Sequence, residues 1–123
     1  MDESITIATL RSIEELAQIR KYWEAWDGHR DSDIDIYTTV VLTNPETIRP
    51  HVLVLYRNGV PDAILAGRID VTQINNMLLG YLRFTPRARQ FYMVYGGLRG
   101  NINRTNVELF IREIWDVLKR GEA

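Results

Sequence analysis

Apolar residues recur at three- and four-residue spacing in two well-separated stretches of the chain. In residues 12–28, Leu16, Ile19, Trp23 and Trp26 share one stripe, which predicts a helix with a single apolar face. Ser12 is a candidate cap, Glu15 completes a capping box three residues later, and Gly28 ends the run. Both tryptophans read as core, since large rings on an apolar stripe pack between layers. Near the C terminus, Val107, Phe110, Ile111, Ile114, Trp115 and Leu118 follow the i, i+3, i+4, i+7 pattern. This predicts an amphipathic helix from Thr105 to Arg120. Asn103 or Thr105 can cap it, Lys119 and Arg120 suit its negative end, and Gly121 stops it.

The rhythm between these stretches is different. "HVLVLYR" is continuously apolar from Val52 to Tyr56 and predicts a strand covered on both faces. Asn58-Gly59 is a two-residue hairpin signal, because both turn positions need positive φ. "VPDAILAGRID" returns as the second strand, with Pro61 at its start or at a bulge. A third extended segment is predicted over Met77–Phe84, followed by a turn at Thr85-Pro86, and a fourth over Gln90–Gly96.

The segment from His29 to Pro50 reads as a loop entering a short helix. Asp33 or Asp35 can cap that helix; Ile36, Tyr37, Val40 and Val41 form its apolar stripe; and Asn44-Pro45 ends it. Asp31, Asp33 and Asp35 alternate as in a calcium loop, but the glycine and distal glutamate of that pattern are missing, so no metal site is assigned. The predicted fold class is α+β, sandwich-like: N-terminal helices, an antiparallel meander of about four strands, and a C-terminal amphipathic helix, all in one domain spanning 1–123.

Composition narrows the function classes. There is no cysteine, which removes disulfides, zinc-thiolate sites and cysteine nucleophiles. No apolar run approaches the roughly 20 residues of a membrane span, and the N terminus carries acids rather than a basic leader, so a cytoplasmic protein is expected. The net charge of −1 gives no global reason to expect nucleic acid. The charge is uneven, however. Residues 1–50 hold ten acids and five bases, whereas residues 51–104 hold two acids and seven arginines. An anionic ligand would favour that middle region; a solvated sheet edge would carry it equally well.

The segment "FYMVYGGLRGNINRTNVELF" holds the candidate chemistry. A strand runs into Gly96, Gly97 and Gly100, and a capped helix follows. A helix N-terminus offers unpaired N–H groups and partial positive charge, and glycines let a phosphate approach the backbone. Arg99 and Arg104 can add charge. Neither the G-x-G-x-x-G fingerprint nor the Gly-Lys-Ser/Thr of a P-loop is present, and a tight connecting corner explains the same glycines. His29 and His51 lack carboxylates at metal-ligand spacing and read as surface residues.

The order of these elements, with "RPHVLVLYRNGVPDAILAGRI" as a hairpin and "FYMVYGGLRGN" leading into a helix, resembles the N-terminal part of GNAT-fold acyltransferases. The closest likeness is to the double-domain branch with cellulose-biosynthesis-type acetyltransferases and FemAB-like transferases, and it spans about Leu10 to Arg120. The resemblance implies acetyl-CoA or another acyl-CoA lying between a fourth and a fifth strand, its pyrophosphate on the turn that opens the central helix. Carried onto this chain, the fourth strand is Phe91–Tyr95, the cofactor turn is Gly96, Gly97, Leu98, Arg99, Gly100 and Asn101, and the central helix is Thr105–Arg120.

Two departures follow. The family motif Gln/Arg-x-x-Gly-x-Gly/Ala is not matched, as in a degenerate N-terminal copy. The fifth strand, a further helix and two last strands have no counterpart, so the expectation is an incomplete domain without catalysis of its own, completed by a C-terminal GNAT-like domain or by a homodimer partner. The family mechanism, direct attack of an amine or hydroxyl on the thioester, would need a base and a proton donor. Asp70 is a distant candidate for the first, and Tyr95, Tyr92 and Tyr81 are candidates for the second, though each also reads as structural. Two other readings remain: a non-catalytic module that assembles through an exposed sheet edge, and a small phosphate-binding domain.

Overall fold

The computed structural model describes residues 4–26, 33–73, 76–78, 82–84 and 87–122. Its elements are β1 (Ile5–Leu10), α1 (Ile13–Leu16), α2 (Arg20–Ala25), α3 (Ile34–Thr43), β2 (Thr47–Arg57), β3 (Val60–Gln73), β4 (Asn76–Leu78), β5 (Leu82–Phe84), β6 (Arg87–Gly100) and α4 (Arg104–Lys119). The fold is α+β. Strands β1, β2, β3 and β6 form one antiparallel sheet in that order, and β4 and β5 pair with each other in a separate two-stranded ribbon.

Helices cover both faces of the sheet. On one face Leu16, Ile19, Trp23, Ile34, Tyr37 and Val41 pack against Val52, Val54, Ile64 and Ala66. On the other, Phe110 of α4 packs against Leu53, Leu55, Ala63 and Leu65, with Leu109 and Ile114 at the margin. This explains the unbroken apolar run in β2: Val52, Leu53, Val54 and Leu55 alternate between two cores, and all four are fully buried. Asn58 and Gly59 form the hairpin with φ of 54° and 80°. The register shifts between Leu55 and Tyr56, so Pro61 sits at the start of β3 beside a bulge, opposite Tyr56.

Several boundaries differ from the sequence expectation. The N-terminal segment Ile5–Leu10 is an edge strand that was not expected; Ile5-Thr6-Ile7 is its local signal. The single helix expected over 12–28 is two short ones, because Ala17, Gln18 and Ile19 donate to carbonyls three residues back. Helices this short have little stability of their own, so the burial of Leu16, Ile19 and Trp23 dictates their geometry. The cap by Ser12 holds, as Ser12 accepts from the Glu15 N–H. Asp33 caps α3, accepting from the N–H groups of Asp35 and Ile36. The third segment, expected over Met77–Phe84, divides into the β4–β5 ribbon; the turn at Thr85-Pro86 lies outside the described residues.

Candidate functional site

The largest departure falls on the candidate site itself. The fourth strand does not end at Tyr95 or Gly96. It continues to Gly100, and Leu98, Arg99 and Gly100 pair with Leu65, Ile64 and Ala63. The pairing is interrupted between Met93↔Gly67 and Leu98↔Leu65, so that Val94, Tyr95, Gly96 and Gly97 stand opposite Ala66 alone. The glycines therefore make a wide bulge in a strand and not a turn after it. Gly96 has φ of 69°, the left-handed value a bulge of this kind uses. A Cβ on Gly97 would lie 2.7 Å from the Ala66 carbonyl oxygen and 2.8 Å from that of Val94, so only glycine lets the bulged strand close against β3.

Among the described residues, β6 ends the sheet; its far edge pairs with no strand. After Gly100 the chain turns through Asn101 into α4. A polar cluster around the buried Asn106 fixes that corner. The Asn106 amide nitrogen donates to Asp62 Oδ2 at 3.1 Å and to the Asn101 carbonyl at 2.8 Å, while its oxygen accepts from Arg57 at 2.8 Å. Arg57 also donates to Asp62 at 3.3 Å, and the Asn101 N–H donates to the Asp62 carbonyl at 2.8 Å. Asn103 caps the helix by accepting from the Asn106 N–H at 2.9 Å. The hairpin end, the end of β6 and the first turn of α4 are thereby one rigid unit.

A polar depression of about 560 Å³ lies over this corner, lined by Ile5, Arg57, Asn101, Asn103, Arg104 and Thr105. The first N–H groups of a 16-residue helix point toward this end, and they have no intrahelical acceptors. Arg104 stands at the rim, 93% exposed at its side chain and paired with Glu108 one turn on. The positive helix end and an exposed arginine together suit an anionic group.

The six residues assigned to the cofactor turn thus have separate surroundings. Gly96 and Gly97 lie in the bulge, Leu98 joins the α4-side core, and Asn101 begins the depression. Arg99 is directed away from it. Its guanidinium is buried on the opposite face, donating to the carbonyls of Trp23 at 3.3 Å and Trp26 at 3.1 Å at the end of α2. Arg57, which the sequence reading did not single out, lines the depression instead.

The candidate catalytic residues are dispersed. Asp70 does not end its strand in solvent; it is 3% exposed, accepting from Thr47 Oγ1 at 2.8 Å and from Arg68 Nε at 3.0 Å. Tyr92 stands opposite Arg68 on β6, with the Arg68 guanidinium 4.1 Å over its ring. Tyr81 lies outside the described residues, and Tyr95 falls within the bulge of β6.

His51 is also not a surface residue. It is fully buried, its Nδ1 accepts from Arg49 at 2.9 Å, and its ring meets Phe91 edge-on at 5.5 Å. Burial, helped by the Arg49 charge, lowers its pKa to about 4. Arg49 belongs to a second cluster in which Arg11, Arg49 and Arg120 all meet the Glu122 carboxylate within 3.1 Å. The hydrogen bond from Arg11 leads in holding that carboxyl down at about 2. His29 lies outside the described residues, and among the described residues no group of three His, Asp or Glu side chains is placed to hold a metal ion. No described helix is long and apolar enough to cross a membrane.

Comparison with known protein families, with curated proteins and with solved structures finds no match to this chain.

Proposed function

We propose that the chain is the N-terminal, cofactor-side portion of a GNAT-like acyltransferase domain. In this reading acetyl-CoA or another acyl-CoA lies along the outer edge of β6, and its pyrophosphate rests at the opening of α4. One observation carries the reading: a bulged strand, the last of the antiparallel sheet among the described residues, runs into a capped, 16-residue helix. A bulge withdraws backbone groups from the ladder, so they are available to a ligand rich in amides, such as the pantetheine arm of coenzyme A. Arg104 and the helix end supply charge for the diphosphate, in a depression that reaches from the opening of α4 across to Arg57 of β2 and Ile5 of β1. The chain is assigned no turnover of its own, because the Asp70 carboxylate already serves Thr47 and Arg68.

The 14-residue length of β6 and its outer edge, unpaired among the described residues, favour a second reading, a non-catalytic module that takes a strand from a partner along the same edge. Thermal unfolding with acetyl-CoA and with inorganic pyrophosphate separates the readings. A ligand at a hundred times its dissociation constant adds about 2.7 kcal/mol of stability. Stabilisation by acetyl-CoA beyond that by pyrophosphate supports the acyl-CoA site. Equal stabilisation by the two would reduce it to a phosphate site. No effect from either would leave the interaction module.

A further inference from the structure

Helix α4 carries a second apolar stripe beside the one that meets the sheet. Asn106, Phe110 and Val117 are the core-facing residues and are fully buried, whereas Ile111, Trp115 and Leu118 are 59%, 59% and 44% exposed. Taken with Glu108, these positions step by three, four and three residues, the spacing of a helix–helix seam. A helix lying alone on a sheet needs only its inner stripe. Ile111, Ile114, Trp115 and Leu118 instead continue the apolar surface around one flank and line a shallow depression of about 510 Å³. Three large apolar side chains on successive turns make the kind of contiguous patch that marks an interaction site.

The charges at the two ends of the stripe select its occupant. Glu108 stands at the N-terminal end, and Lys119 at the C-terminal end, its Nζ 5.6 Å from the centre of the Trp115 ring. A stripe that is acidic at one end and basic at the other complements its own reverse and repels its own parallel copy. We propose that two copies of the chain pair through this flank of α4, with the helices antiparallel about a two-fold axis between Ile111 and Trp115. Ile111 of each copy then faces Trp115 of the other, Leu118 covers the stem of Glu108, and Glu108 meets Lys119 twice. The opposed helix dipoles favour the same direction. Glu108 also pairs with Arg104 on its own helix at 3.0 Å, but both groups are exposed, so the exchange costs little. Arg112 approaches its own copy at the outer rim, where water and salt screen the repulsion. The pairing uses no residue of the β6 edge and does not depend on the acyl-CoA reading.

Sedimentation of the chain over a concentration series, with circular dichroism as a check on folding, tests the proposal. The wild-type chain is expected to dimerise, and Trp115→Glu, at a half-exposed site, is expected to be folded and monomeric. Glu108→Lys and Lys119→Glu should each weaken the dimer severalfold, since each replaces two exposed pairs with like-charge contacts. The double variant, which restores both pairs with the signs exchanged, should recover most of the loss. A chain that stays monomeric, a dimer that survives Trp115→Glu, or a double variant no better than the singles would overturn it.

Discussion

The guanidinium of Arg99 donates to the carbonyl oxygen of Trp26 at 3.1 Å, tying the last residues of edge strand β6 to the end of α2 on the far face of the sheet. A second bond to Trp23 at 3.3 Å makes the same connection. These carbonyls end a helix of six residues, where the backbone has no further helical donors. A buried cation thus serves as a C-terminal cap.

Replacing Arg99 with Met keeps the apolar stem and removes the donors. Hydrogen bonds to a charged group contribute about 1.5–3 kcal/mol each, so Arg99→Met is expected to cost about 3 kcal/mol in urea unfolding. A loss under about 0.5 kcal/mol, the range of an ordinary surface change, would show that the two bonds hold nothing together.

Two glycine substitutions should behave differently. At Gly59 nothing lies within 4 Å of an added Cβ, so Gly59→Ala meets only the cost of its φ of 80°, about 1 kcal/mol. At Gly97 the added atom meets the Ala66 backbone at 2.7 Å, so the strands must separate, at a cost of about 3 kcal/mol. Equal unfolding midpoints for the two variants would contradict the bulge as described.

Acid should weaken the fold in two stages. Burial lowers the His51 pKa from 6.5 to about 4, so the unfolded chain binds this proton first and stability falls as pH drops from 6.5 to 4, by about 3 kcal/mol at most. Glu122 is lowered from 4.5 to about 2, so its contribution is full above 4.5 and is lost as pH falls through 2. In His51→Leu the upper stage should vanish while the lower one persists, and Glu122→Gln should do the reverse. Urea midpoints measured from pH 7 downwards would decide, and an upper stage unchanged in His51→Leu would refute the assignment.

Patterns that repeat within a short window were legible in the sequence. Helix α4, the α3 cap at Asp33 and the hairpin at Asn58-Gly59 each rest on residues a few positions apart, and the structure keeps them. The rest depends on distant partners. Gly96 and Gly97 look like a corner after a strand, because only the pairing with Ala66 reveals that the strand continues. Arg99 looks like an anion ligand, because nothing nearby in sequence announces the carbonyls of Trp23 and Trp26. His51 stands in an apolar run, and its burial follows from Phe91 crossing above it. Strand β1 was missed for a weaker reason: six residues with one clear alternation, Ile5-Thr6-Ile7, give little signal.

The most direct measurement is a titration of the labelled chain with acetyl-CoA, followed by amide NMR. With acetyl-CoA bound at the β6 bulge and the opening of α4, the shifts should concentrate in residues 94–106 and weaken in Arg104→Glu. Saturating acetyl-CoA that moves no amide there, or moves only amides elsewhere, would contradict the acyl-CoA reading of this fold.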